Sequence, residues 1–263
     1  MSTTRYRAIA EYYDPEYAHL DYLERDVPFF LSRLGRRRRR VLEIACGTGR
    51  AAIPIAQAGH AVVGVDYDAA VLSIARRKRD GVGLTERQLR LVRADALRLD
   101  LGEQFDAVAV FFNTFLNFVT LAEQDAVLAR AVAHLKPGGR LWLDVFQPDH
   151  RMLAEPVQRD LDPVQFYVPA LDRTVFRTTD VERDDDLPQV QRLTFNYQWF
   201  DGDGQAHHET SAFRLTYIFP RELHLLLARH GLRVEHLWGD YDGSELRPES
   251  PRMIAAARRT KSS

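Results

Sequence analysis

The stretch Arg40-Val-Leu-Glu-Ile-Ala-Cys-Gly-Thr-Gly-Arg50 has the grammar of a buried parallel strand that breaks into a glycine turn and opens a helix. Val41, Leu42 and Ile44 give an apolar run of strand length, and Gly47 and Gly49 let the backbone approach a ligand with no Cβ in the way. Arg50 to Ala58 continues in helix-compatible residues, with Pro54 early enough that its missing N–H costs little. Such a turn is built for a nucleotide-like cofactor.

Read outward, the turn admits two cofactors. As Gly47-x-Gly49-x-x-Ala52, followed by the strand Ala61-Val-Val-Gly-Val65 and Asp66, it matches a dinucleotide fingerprint with a ribose-binding acid about 20 residues on. Glu43, an acid inside the first strand, and the order of later segments favour the other reading. Leu89-Arg-Leu-Val-Arg-Ala-Asp95-Ala96 reads as a third strand ending in an acid. Phe105-Asp-Ala-Val-Ala-Val-Phe-Phe112 reads as a fourth, with Asn113-Thr114 at its carboxyl end, where open α/β sheets place ligands. Leu135-Lys-Pro-Gly-Gly139 turns into a fifth, Arg140 to Phe146.

Taken together over roughly 40–146, this series resembles the class I S-adenosylmethionine-dependent methyltransferases. The resemblance implies an α/β fold: a Rossmann-like, doubly wound, mostly parallel seven-stranded sheet. It implies S-adenosyl-L-methionine as cofactor, with Glu43, Ala45, Gly47, Gly49 and Arg50 around its amino-acid end. Asp66 is then expected at the ribose hydroxyls and Asp95 at the adenine amino group, with Tyr67, Ala96, Phe112 and Asn113 as further cofactor contacts. Ala45 stands where the family often has glycine.

The rest of the chain sets the acceptor side. About 70 residues rich in β-branched and aromatic types follow the fifth strand, and 166–168, 174–181, 189–200 and 209–218 read as antiparallel strands, with Asp201-Gly-Asp-Gly204 as a turn. Pro220 to Gly231 reads as a helix, and 232–239 and 253–257 as the last two strands. The expected organisation is an N-terminal helical cap over the cofactor (1–35), a cofactor-binding core (36–148), an inserted antiparallel β substrate subdomain (149–218), and the closing helix and strands (219–263). The cap carries Tyr6, Tyr12, Tyr13, Tyr17 and Tyr22, with a break expected at Ala10 to Pro15. Tyrosine-bearing caps and this insertion resemble those of amino-sugar and related small-molecule N-methyltransferases.

A methyl sulfonium is already activated, so the protein chiefly has to align the acceptor and exclude water. A neutral amine needs no dedicated base; for a hydroxyl, His207, His208, Tyr12 and Tyr13 are the candidates. The competing reading of the two histidines is a solvated hairpin strand. Transfer to nitrogen of a small-molecule acceptor is therefore expected, with O-methylation or a noncatalytic cofactor-binding regulatory module as alternatives, and C-methylation left open.

Composition agrees. The 263 residues carry 36 Lys and Arg against 37 Asp and Glu, a net charge of −1 that offers no field for nucleic acid or an anionic membrane. The run Arg36 to Arg40 reads as a solvated lead-in, Asp184-Asp-Asp186 as an exposed loop rather than a metal site, and Arg214 as the partner of a carboxylate. One cysteine, Cys46, excludes an internal disulfide and any cysteine-clustered zinc site. Six acids in the first 30 residues and no apolar stretch near 18 residues argue against a signal peptide and a span, so a cytoplasmic protein is expected. A homodimer paired through an apolar outer face of the inserted sheet is a further expectation.

Overall fold

Strand β1 (Arg40–Ile44) lies in the interior of a seven-stranded sheet. The computed structural model describes residues 10–149 and 153–260, so Tyr6 lies outside the described residues. Parallel to β1 run β2 (Ala61–Asp66), β3 (Leu89–Arg93), β4 (Phe105–Val110) and β5 (Leu135–Phe146). The sheet is completed by β10 (Leu232–Trp238) and β11 (Arg252–Arg259), which are antiparallel, giving the order β10-β11-β5-β4-β1-β2-β3. The register of β5 on β4 jumps from Leu135↔Phe105 to Arg140↔Ala107, so Lys136 to Gly139 form a bulge at the head of the strand.

Side chains alternate across a strand, and both faces of this sheet are apolar. Leu42 and Ile44 join a core with Val108, Val110, Leu141, α5 (Leu121–Ala133) and α6 (Pro220–Arg229). Val41 faces the other way, into a core with α2 (Asp21–Leu34), α3 (Ala52–Gln57) and α4 (Ala69–Gly81). The sheet is therefore doubly wound. Close packing has one sharp requirement: a Cβ on Gly64 would lie 2.8 Å from Cys46 Sγ, so the small residue in β2 makes room for the turn after β1.

After β5 the chain builds a separate four-stranded antiparallel sheet, ordered β6 (Val157–Val168), β7 (Arg173–Arg183), β8 (Val190–Phe200) and β9 (Ala206–Thr216). Its β6 begins well before the expected Phe166, because bulges with Asp160 and Asp162 at positive φ break the alternation there. The outward face carries polar side chains such as Thr174, Asp180, Asn196 and Thr210 together with exposed apolar ones at Val157, Tyr167, Phe176 and Phe200. Asp184 also differs from its expected place. Its side chain is buried, pairs with Arg214 Nε at 2.8 Å, and accepts from the Asp186 and Leu187 amides at 3.1 Å each. The expected carboxylate partner of Arg214 is thus Asp184.

Where a break was expected near Pro15, a short helix α1 (Tyr13–Tyr17) forms instead; Pro15 sits in its first turn, where its missing N–H is not needed. Asp14 ties α1 to the core, accepting from Thr48 Oγ1 at 2.7 Å and pairing with Lys78 Nζ at 2.8 Å. On its other side, Glu16 ties α1 to the second sheet through Arg177 Nε and the Tyr197 hydroxyl, both at 3.0 Å. The short helix thus bridges the two sheets. No helix among the described residues is long and apolar enough to cross a membrane.

Candidate active site

The turn after β1 and the carboxyl ends of β2, β3 and β4 enclose a cavity of about 120 Å³. Of the residues expected around the cofactor, Ala45, Gly47, Asp66, Tyr67, Asp95 and Ala96 line it. Gly47 has φ +53° and a Cβ added there would meet nothing, so its backbone borders open space. Asp66 holds this turn: Oδ2 accepts from the Gly47 amide at 2.9 Å and Oδ1 from the Asp68 amide at 3.0 Å. Asp95 Oδ1 accepts from the Leu97 amide at 2.9 Å, capping the short helical turn that follows β3. Ala45 takes φ +56°, a conformation that favours glycine and costs other residues of order 1–3 kcal/mol. Ala45→Gly is expected to stabilise the fold by about 1 kcal/mol after the entropy of glycine in the unfolded chain is counted, read as a small rise in Tm.

Glu43, Gly49 and Arg50 take supporting places. Arg50 pairs with the buried Asp26 of α2 through both nitrogens, at 3.0 and 2.6 Å, and stacks over Phe112, so it pins α2 to the turn. Gly49, at φ +79°, closes the turn against Ile53. Glu43 is buried on the α3 side of β1, and its Oε2 has no hydrogen-bond partner. Burial pushes its carboxyl up to about 8, although Arg50 pulls the other way. An unsatisfied buried acceptor beside an open glycine turn fits a cofactor that brings an ammonium group.

The shift has a sign that can be checked. A carboxyl with a folded pKa near 8 and an unfolded one near 4.5 binds its proton more tightly when folded, so its contribution to stability is present below about 4.5 and lost as pH rises towards 8. The Tm of the wild-type protein is expected to fall across that window relative to Glu43→Gln. Parallel pH profiles of the two proteins would refute the burial argument.

The small cavity adjoins a larger one of about 840 Å³, roofed by the second sheet. Tyr13, Thr114 and Asn117 line both. Phe112 and Asn113, expected as cofactor contacts, line the larger one and take successive left-handed conformations, at φ +49° and +60°. A buried network holds that turn. Asp144 Oδ2 accepts from the Phe112 amide at 3.2 Å and from the Tyr241 hydroxyl at 2.7 Å, and its Oδ1 accepts from Arg252 Nε at 2.7 Å. Asn113 Oδ1 accepts from the Phe146 amide at 2.7 Å and from Arg252 at 3.1 Å. Sequence reading missed this network, because Tyr241 and Arg252 lie 97 and 108 residues from Asp144 along the chain.

The expected bases separate. Tyr13 stands at the junction of the cavities, whereas Tyr12, its neighbour, is buried against Phe166 and Tyr197 in the core of the second sheet and lines neither cavity. About 100° of rotation per helical residue sends adjacent side chains to different faces. His207 Nε2 donates to Asp201 Oδ2 at 2.8 Å and stacks on Trp199 at the hairpin, and His208 is exposed beside it; neither lines either of the two cavities. The structure therefore corrects the assignment of Tyr12, His207 and His208 as bases and gives them packing and surface places. Glu16, Arg177 and Asn117 enter the cavity walls without having been anticipated. Among the described residues, no group of three or more His, Cys, Asp or Glu is placed to hold a metal ion.

Residues 41–139 match the family model described as a methyltransferase domain. The chain is 34% identical over 130 residues, 46% of its length, to a cypemycin N-terminal methyltransferase from Streptomyces sp, and spans 51% of that relative. It is 27% identical over 222 residues, covering 84% of the chain and 80% of the relative, to a dTDP-3-amino-3,6-dideoxy-alpha-D-glucopyranose N,N-dimethyltransferase from Streptomyces fradiae. The solved CcbJ methyltransferase from Streptomyces caelestis superposes with a TM-score of 0.80 at 24% identity, over 99% of this chain and 100% of that one, so the two share the fold, second sheet included.

Proposed function

We propose that this chain, whose residues 41–139 form a methyltransferase domain of the S-adenosylmethionine-dependent kind, methylates the nitrogen of a small-molecule amine. The observation that carries this reading is the junction: Tyr13, Thr114 and Asn117 border both the glycine-turn cavity and the 840 Å³ cavity, so a group held in one meets a group held in the other there. Glu43, Gly47, Asp66 and Asp95 would hold the cofactor, which supplies a methyl carbon activated by a sulfonium. With the cofactor bound, the walls of the larger cavity would present the lone pair of the acceptor nitrogen to that carbon at the junction, and the product ammonium would lose its proton on release to solvent.

Little base chemistry is needed for this step. The walls orient the amine and keep water out, and alignment of that kind is worth roughly 7–11 kcal/mol of barrier. Among the described residues, Tyr13 is the one ionisable group apart from Asp66, Tyr67 and Asp95 at the glycine turn that borders the smaller cavity. Transfer to a hydroxyl is the second reading, because Tyr13 borders the junction and its phenolate form would accept a proton there. The N,N-dimethyltransferase relative supports nitrogen.

Calorimetric titration with S-adenosylhomocysteine, with NADH as control, tests the cofactor. A mass-spectrometric panel of matched amines and alcohols then tests the acceptor. Micromolar binding of S-adenosylhomocysteine alone and mass gains of one methyl on amines are expected; binding of NADH alone, or methylation confined to alcohols, would overturn the reading.

A further inference from the structure

The walls of the larger cavity select by charge. Among the described residues, Arg177 is the one Lys or Arg that lines it, and its charge is paired within the wall. Nε donates to Glu16 Oε1 at 3.0 Å, and Nη1 donates to the Asp162 carbonyl at 3.1 Å and to Thr179 Oγ1 at 2.5 Å. Its guanidinium also lies 5.0 Å from the Phe195 ring centroid. Glu16 is equally committed, with one oxygen on Arg177 and the other on the Tyr197 hydroxyl. Charge for charge, this pair cancels.

Asp162 is then the charge that a ligand meets. It lines the cavity from the exposed edge of β6, at φ +48° and directly before Pro163, where β6 shifts register against β7 between Leu161↔Thr179 and Val164↔Arg177. Its negative charge reaches the Tyr22 phenol on α2, in another wall of the same cavity. Residues in such sparsely populated conformations persist where the surrounding structure fixes them, and they cluster at ligand sites. The remaining polar lining includes the His19 imidazole and the uncharged Gln158, Gln191 and Ser211, which suit hydroxyl groups.

Resting on the reading of transfer to nitrogen, we propose that the acceptor is a hydroxylated amine that enters as its cation and carries no phosphate, and that Asp162 selects it. A diphosphate would bring two or more negative charges beside Asp162, to walls whose one arginine among the described residues is already paired with Glu16, and burying unpaired charge is strongly unfavourable. An ammonium is the dominant form of an alkylamine at neutral pH. Asp162 attracts that form to the mouth, and the amine gives its proton to water before its lone pair reaches the junction.

The test uses the full chain saturated with S-adenosylhomocysteine and three calorimetric probes: 3-amino-3-deoxyglucose, its N-acetyl derivative and its dTDP conjugate. The free amine is expected to bind, with the N-acetyl and dTDP forms at least tenfold weaker. Asp162→Asn is expected to weaken the free amine roughly tenfold and leave the affinity for S-adenosylhomocysteine unchanged. Asparagine tolerates the left-handed backbone, so the variant keeps the bulge. No binding of the free amine, tighter binding of the dTDP form, or an unchanged affinity in Asp162→Asn would each overturn the proposal. Failure of the underlying reading looks different: it appears as amine binding that depends on Asp162 with no methyl gained when S-adenosylmethionine is supplied.

Discussion

Asp66→Ala is expected to weaken binding of S-adenosylhomocysteine by about 3 kcal/mol, a loss of roughly two orders of magnitude in affinity, while the protein remains folded. Two effects add. The carboxylate holds the glycine turn in shape by accepting from the Gly47 and Asp68 amides, and both bonds are charge-assisted. It also lines the small cavity, where the resemblance places the ribose. Asp66→Asn separates them, because an amide keeps one acceptor but presents an N–H₂ to the second backbone donor. It is expected to fall between wild type and alanine. Calorimetric titration of the three proteins reads the series, and circular dichroism checks the fold. An alanine variant that binds as tightly as wild type would place the cofactor elsewhere.

Asp66 was legible because its neighbours are local. A strand, a glycine turn and a following strand that ends in an acid lie within 27 residues, and the geometry of parallel sheets brings them together with no long-range information. The same holds for the order of the later strands, each an apolar run with a turn at its end. Two kinds of feature were not legible in this way. Strand β6 escaped because Asp160 and Asp162 interrupt the period of two with left-handed bulges, and Pro163 reads as a breaker. Tyr12 and Tyr13 could not be told apart, since composition gives both an equal claim; only the direction in which α1 crosses between the sheets sends one to the core and the other to the junction. The bridge that Glu16 makes to Arg177 lies across 161 residues of chain and has no local signature.

The network behind Asn113 was illegible for the same reason, and it carries the second large effect. Arg252→Met is expected to lower stability by about 4 kcal/mol, because breaking a buried ion pair leaves an uncompensated charge in place. In a chain of this size that is a fall in Tm of about 10 °C. Asp144 keeps its bonds to Tyr241 and the Phe112 amide but loses the guanidinium, and Asn113 Oδ1 keeps the Phe146 amide alone. The strained pair at Phe112 and Asn113 then has less to hold it, and Thr114, which borders both cavities, follows directly in the chain. Turnover should therefore fall more than stability at the assay temperature explains, with kcat reduced and the affinity for S-adenosylhomocysteine nearly kept, since Arg252 does not line the smaller cavity. The double variant Asp144→Asn with Arg252→Met removes the orphaned charge. It is expected to recover part of the lost Tm but not the lost kcat, because the neutral amide does not restore the donor that Asn113 has lost. Recovery of both together would mean that the network serves stability alone, and that the left-handed turn holds its shape by itself.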